Sequence, residues 1–281
     1  MRFGYHVGVS GPPVSAIVNG MDAGCETIQF FPGSPQQWGT TPVSDEDARE
    51  FAEARKTSGI DPVVLHSIYL INMAAPSKPI YNRSISALTS SLEKADRLGA
   101  LGVITHIGNH KGEGEDVGLR RIAGAITVCF EKEEGKSMLL LETTAGAGTS
   151  VGNAFEQFGA VFDQAGRPER LGFCLDTCHV FAAGYDIRTA SGIDRMLEEM
   201  DRFIGLDRLK VLHMNDTVSE LGSHLDRHAH IGQGVIGVDA FRYMVNHDAL
   251  KDLPSIVELP HEDPDEPDEP DDLQLLRSLV E

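Results

Sequence analysis

Basic charge, cysteine and long apolar runs are all scarce in this 281-residue sequence, and each scarcity narrows what the chain can be. Only 24 Lys and Arg stand against 43 Asp and Glu, a formal net charge of -19. That sign excludes broad, nonspecific adhesion to nucleic acid, whose phosphates attract basic surfaces. It leaves room for a local site whose sign is reversed by bound metal. The four cysteines, Cys25, Cys129, Cys174 and Cys178, lack the spaced pairs of a disulfide framework, so reduced thiols are expected. No run of about 18 apolar residues occurs, which argues against a membrane-spanning helix. The opening MRFGYHVGVSGPP lacks the basic-then-apolar order of a secretory signal, and a cytoplasmic protein is expected.

What is present is a regular alternation of short apolar runs with longer amphipathic segments, the pattern of repeated βα units. Eight runs read as strands: 2–7, 27–31, 62–66, 102–106, 138–142, 172–176, 209–213 and 255–259. Helical segments are expected near 44–59, 82–98, 118–134, 153–165, 189–204 and 237–247. In the first of these, Ser44 with Asp47 resembles a capping box and Gly59 a stop. Eight parallel strands with covering helices close most simply into a single-domain (β/α)8 TIM barrel spanning 1–281. A doubly wound open sheet is the alternative, although GVSGPP after the first run lacks the glycine spacing of dinucleotide binding. The acidic, proline-rich stretch 260–272, PHEDPDEPDEPDD, is expected to be an extended, solvated connection.

The places where the runs stop carry the chemistry. From the third run on, the terminal or near-terminal residues are His66, His106, Glu142, Asp176, His213 and Glu258. A single histidine or acid at a strand end is usually structural. Six in series, at the face where a barrel gathers its strand ends, point to one shared metal site. His179 follows Asp176 by three residues, and Asp226 with His228 forms an Asp-x-His pair that an extended backbone would turn to one side. Three such ligands with an open position suit a catalytic zinc. The nine are five imidazoles and four carboxylates, a set suited to zinc, with manganese or iron as substitutes at some sites. Three divalent ions would leave that cluster about +2, which favours an anionic ligand such as phosphate.

On these residues the sequence resembles the endonuclease IV family of apurinic/apyrimidinic endonucleases. The blocks that carry the resemblance are LHSIYLINMAAP (65–76), LLLETTAGAGTSVG (139–152), GFCLDTCHVFAAGYDIRT (172–189), LHMNDTVSELGSHLDRHAHIGQGVIG (212–237) and VEL (257–259). The resemblance implies an eight-stranded barrel, three zinc ions and a metal-activated hydroxide that cuts the backbone of double-stranded DNA 5′ to abasic sites. Removal of 3′ blocking groups is a further activity it suggests. It assigns His66, His106 and Glu142 to a first zinc, with Glu142 bridging to a second held by Asp176, His213 and Glu258. His179, Asp226 and His228 would hold the third. Glu142 and Glu258 are the candidate catalytic carboxylates, Glu258 as orienter of the hydroxide.

Gln36, Gln37, Trp38, Tyr69 and Arg227 are candidate DNA contacts, and His6, His110, Asn72 and Asn215 candidate supports around the ligands. For each a purely structural role stands beside the functional one: packing for Tyr69, a barrel cap for His6, a surface loop for His110. Cys174 and Cys178 read as buried fillers. The loop FPGSPQQWG departs from the family, which usually has Asn, Arg and Gln where Ser34, Gln36 and Gln37 stand. Without the arginine, DNA affinity and its salt dependence should both fall. Ile107, Val218 and Ala147 also differ from common family residues, Pro, Lys and Gln. Two other readings compete: a metal-dependent sugar isomerase or epimerase on a similar barrel, and a lesion-binding protein that no longer cuts. A monomer is the default expectation.

Overall fold

The structure, a computed structural model, describes residues 1–39, 41–259 and 271–281. Its eight-stranded parallel sheet comprises β1 (Arg2–Tyr5), β2 (Ile28–Phe30), β3 (Val63–His66), β4 (Gly102–His106), β5 (Met138–Glu142), β6 (Leu171–Asp176), β7 (Leu209–His213) and β10 (Pro254–Val257). A separate antiparallel pair, β8 (Asp216–Thr217) and β9 (His228–Ala229), lies in the connection after β7. The helices are α1 (Val14–Asp22), α2 (Asp45–Ser58), α3 (Lys78–Leu98), α4 (Glu115–Lys132), α5 (Phe155–Gln164), α6 (Thr177–Ala183), α7 (Ala190–Phe203), α8 (Val238–Asn246) and α9 (Asp272–Ser278).

Hydrogen-bonded neighbours run β1-β10-β7-β6-β5-β4-β3-β2, which is chain order wrapped into a ring. The ring closes between β1 and β2. There His6 bridges Gln29, the Val7 N–H donates to the Gln29 carbonyl at 2.8 Å, and the Glu26 N–H donates to the Phe3 carbonyl at 2.9 Å. Glycine is required at position 4, because a Cβ there would lie 1.6 Å from the Thr27 carbonyl oxygen. The expected TIM barrel is the fold, and the open sheet is excluded by this closure.

The alternation of side chains along the strands divides the apolar residues into two layers. Val64, Ile104, Leu140, Cys174, Val211 and Ile256 are fully buried together inside the barrel. Their neighbours in sequence, among them Val63, Leu65, Val103, Leu139, Leu141, Phe173 and Leu212, pack outward under the helices. Phe158 of α5 sets its ring edge-on against Phe173, with centroids 4.7 Å apart. Burying each such aromatic contributes about 2–3 kcal/mol.

Local signals account for most boundaries. Ser44 forms the complete capping box with Asp47, and Gly59 ends α2 with φ 76°. The acidic stretch is where expectation and structure part. Asp271 caps α9 by accepting the Gln274 N–H, and Asp272 is fully buried inside that helix. Asp272 accepts the Ile231 N–H at 2.7 Å and pairs with His230 at 2.8 Å, so residues 271–272 are structure rather than connection. The remainder of that stretch, 260–270, lies outside the described residues.

Candidate metal centre

Each ligand-type residue at a strand end stands two positions beyond a residue of the inner apolar layer. Val64 leads to His66, Ile104 to His106, Leu140 to Glu142, Cys174 to Asp176, Val211 to His213 and Ile256 to Glu258. A two-residue step keeps the same face, so all six side chains project inward above the apolar floor. Register then aligns them: His106 lies opposite Glu142, and a shift between Phe173 and Cys174 brings Asp176 opposite His213.

Three groups of ligand atoms result, each within 4.8 Å. His66, His106 and Glu142 form the first; Glu142, Asp176, His213 and Glu258 the second; His179, Asp226 and His228 the third. Glu142 belongs to two groups, with Oε2 3.1 Å from His66 Nε2 and Oε1 2.9 Å from His213 Nδ1. All nine residues expected to hold metal thus converge in three dimensions. A further combination, Asp176, Cys178 and His228, also comes together, and the Cys178 thiol lies 3.7 Å from Asp226 Oδ1. Cys178 is therefore a polar neighbour of the third group as well as a filler.

Local structure explains how the loop ligands arrive. Asp176 ends β6 and caps α6, its Oδ1 accepting the His179 N–H at 2.8 Å. One carboxylate thereby fixes the start of the helix that carries His179. His228 sits on β9, paired with β8, and β8 is anchored by the fully buried Asp216. The Asp216 carboxylate accepts backbone N–H groups from Thr217, Gly232, Gly234, Ile236 and Gly237 at 2.8–3.3 Å. Sequence reasoning passed over Asp216 because it ends no apolar run.

The electrostatics are those of a cation site. Burial resists charge on Glu142, but His106 and His213 beside it hold its carboxyl well below the usual range. Desolvation also resists charge on the partly buried Glu258, which is held at about 2, chiefly by His213. Burial pushes Asp176 upward, with the Glu258 charge adding to the effect. Burial would lower His179 and His228, yet the carboxylates Asp176 and Asp226 carry them up to about 10 and about 12. Partial desolvation opposes charge on Asp226, whose side chain is half exposed, yet those two imidazoles hold its carboxyl far below the usual range. Two buried ring nitrogens lack hydrogen bonds although carboxylate oxygens lie close by. His179 Nδ1 is buried with no hydrogen bond, 3.7 Å from Asp176 Oδ1. His228 Nε2 is 3.0 Å from Asp226 Oδ1 without hydrogen-bond alignment. Imidazoles and carboxylates in this posture fit divalent metal ions.

The surrounding candidates separate into distinct roles. Asn215 is fully buried; its Nδ2 donates to Asp176 Oδ2 at 2.7 Å and to Glu258 Oε2 at 3.3 Å. Asn72 braces loops, its Oδ1 accepting the Ala74 and Asn109 N–H groups and its Nδ2 donating to the Asn109 carbonyl. His110 Nδ1 accepts the Gly112 and Gly114 N–H groups, which places that ring atom in its own loop. His6 packs on Phe31 at 4.4 Å, and burial lowers its pKa to about 4. Tyr69, 63% exposed, stands edge-on to Phe31 at the rim. Gln36, Gln37 and Arg227 are exposed, and Trp38 packs partly against the core. A cavity of about 220 Å³ opens over the site, lined by His6, Tyr69, His106, His179 and Asp226 among others. A second residue, besides Asp216, has no mark in the sequence. Gln29 of β2 is fully buried and touches both His213 and Glu258; the alternation of β2 turns it inward, but the apolar run around it drew the reading toward packing.

Comparison with known proteins bears on what this geometry serves. The chain matches the xylose isomerase-like TIM barrel family over residues 20–279. A probable endonuclease 4 of Chloroflexus aurantiacus is 45% identical over 281 residues, covering 100% of this chain and 98% of its own. One of Methanoculleus marisnigri is 45% identical over 92% of each chain. The crystal structure of endonuclease IV from Thermus thermophilus superposes with a TM-score of 0.86 at 33% identity, covering 99% of this chain and 98% of that one. A D-tagatose 3-epimerase-like protein, at 17% identity and a TM-score of 0.73 over 99% of this chain and 96% of its own, shares the fold alone.

Proposed function

The chain belongs to the endonuclease IV family within the xylose isomerase-like TIM barrels, and on that footing we propose that it is a DNA-repair hydrolase that uses three zinc ions to cut the backbone 5′ to abasic sites in duplex DNA. The observation that carries this reading is the convergence of nine metal-type ligands in three groups, two of which share Glu142. His66, His106 and Glu142 would hold one ion, Glu142, Asp176, His213 and Glu258 a second, and His179, Asp226 and His228 a third. Bound divalent metal would supply Lewis acidity toward phosphate and lower the pKa of a coordinated water.

The chain's own residues have separable tasks. Glu258, gripped through both oxygens, is placed to orient an attacking water. Tyr69 presents an exposed ring beside the cavity for a displaced base or sugar. Gln36, Gln37, Trp38 and Arg227 belong to the loops on that face, where they would meet the duplex. A net charge of -19 makes the metal-bearing face the natural place for a polyanion to dock. Among the described residues no helix is long and apolar enough to cross a membrane. All nine ligands come from one chain, so a monomer suffices.

The test is incision of a duplex carrying an abasic analogue, with metal content measured on the same preparation. Cutting 5′ to the analogue with about three ions per chain is expected. Metal-loaded protein that leaves the duplex uncut would overturn the reading. One or two ions per chain would favour the isomerase class, whose proton transfers do not call for the third group.

A further inference from the structure

Both ends of the Gln29 side-chain amide are engaged at the site. Its Oε1 lies 2.8 Å from His213 Nε2, and its Nε2 lies 2.9 Å from Glu258 Oε1 and 2.8 Å from His6 Nδ1. An amide oxygen only accepts, and an amide nitrogen donates two hydrogens and accepts none. The atom facing the Glu258 carboxylate must therefore be the NH2, since the reverse assignment would set oxygen against oxygen. That choice dictates the state of two rings.

Because Oε1 accepts, His213 carries hydrogen on Nε2. Its Nδ1 is left facing the carboxylates of the second group, 2.9 Å from Glu142, 3.4 Å from Glu258 and 3.8 Å from Asp176. Because Nε2 of Gln29 donates, His6 accepts through Nδ1 and carries hydrogen on its own Nε2. That atom is buried with no hydrogen-bond partner among the described residues, on a ring that lines the cavity over the site. His66 shows the same logic by other means: its Nδ1 donates to the Ser67 carbonyl at 2.8 Å, leaving Nε2 toward Glu142.

We propose that Gln29 is a positioning residue of the second metal group, its amide setting His213 as an Nδ1 ligand, steadying Glu258, and turning His6 into an Nε2–H donor toward an oxygen of the bound phosphodiester. The proposal rests on the ligand assignment above and adds to it. A hydrogen bond to the far nitrogen of a ligating imidazole fixes both ring orientation and tautomer. Here one neutral side chain does so while holding a neighbouring ligand through its other end. Glu258 needs a donor, so a carboxylate at position 29 could serve His213 but not Glu258, and could serve His6 only if the ring hydrogen moved to Nδ1.

The experiment uses full-length, zinc-loaded protein, with Gln29→Met and Gln29→Glu variants. Gln29→Met keeps the length of the side chain and removes its hydrogen bonds. With the fold checked by circular dichroism, it should release one class of zinc at about 10- to 100-fold lower chelator concentration than the unsubstituted protein, while the remaining zinc is held as before. Coincident release curves would overturn the proposal and leave the ligand assignment standing; unsubstituted protein that binds no zinc would overturn the assignment itself. Should Gln29→Met not fold, nitrogen-15 imidazole spectra of Gln29→Glu decide. His213 should keep hydrogen on Nε2 while the His6 hydrogen moves from Nε2 to Nδ1, and an unmoved His6 would overturn the proposal.

Discussion

Asn215 holds Glu258 at two points: its Oδ1 accepts the Glu258 backbone N–H at 3.0 Å, and its Nδ2 reaches Oε2 of the same residue at 3.3 Å. The clamp fixes main chain and side chain together at the one strand end that lies beyond its strand proper. The same Nδ2 also donates to Asp176, so one amide ties two ligands of the second group. Asn215→Asp replaces that donor with a third acceptor. We expect the variant to hold metal about 10- to 100-fold more weakly, measured by competition with a chelator. Retention equal to that of the parent would refute the clamp.

Metal uptake should release protons. In the metal-free chain His179 and His228 titrate at about 10 and about 12, both above the ordinary histidine value of 6.5. Both rings therefore hold protons at neutral pH, and a metal must displace them to reach the nitrogens. Calorimetric zinc titrations in buffers of different ionisation enthalpy should report about two protons released at the third group near pH 7. The sign for stability follows. The fold carries the full benefit of these pairs below the unfolded value of 6.5 and loses it as pH rises through about 10 for His179 and about 12 for His228. Proton-neutral zinc uptake would contradict this account.

Lys94 gives the opposite pH trend. Its side chain is buried on α3, Nζ donates to the Pro32 carbonyl at 2.6 Å, and burial lowers its pKa to about 8. Between about 8 and the model-peptide value near 10.4 the unfolded chain binds the proton and the folded chain does not, so stability rises with pH across that window. A gain on the order of 3 kcal/mol is the expected ceiling. Denaturant titrations of the parent protein and Lys94→Met at pH 7.5 and 10 should show it as a difference between the two chains, since His179 and His228 are common to both. A parent-minus-variant difference that does not grow from pH 7.5 to 10 would contradict the assignment to Lys94.

The loop that Lys94 braces also carries Gln36, exposed and uncharged. Gln36→Arg should tighten binding to an abasic duplex and steepen the dependence of log K on log salt by about 0.9, the value for one added phosphate contact. Binding measured from 50 to 200 mM salt tests this. An unchanged slope would place residue 36 away from the DNA backbone.

The barrel and its ring of ligands were legible in the sequence because both follow from one periodicity. An apolar run that stops on His, Glu or Asp marks a strand and its site residue together. What escaped notice did so for physical reasons. Helix α1 starts after Pro12 and Pro13 with no side-chain cap and contains Gly20 and Asn19, residues of low helix propensity. Helix α6 begins where β6 ends, with Asp176 serving as strand end and cap at once. Helix α9 was hidden by the acidic stretch before it, since Asp271 and Asp272 look like more of the same charge until Asp272 meets His230. Gln29 and Asp216 act by orienting other groups, and such work has no signature in residue type or spacing.

The two-residue step from each floor residue to its ligand makes the metal centre a gauge of strand alignment. Slipping any one of six strands by a single residue would turn its ligand outward, under the helices, and put an apolar or hydroxyl side chain in its place. A chain that had closed its barrel one notch out could bury nearly the same oil and still be unable to keep its ions. Metal retention therefore reports on six alignments at once, and a chelator can sort correctly threaded barrels from near misses that other measures of compactness would pass.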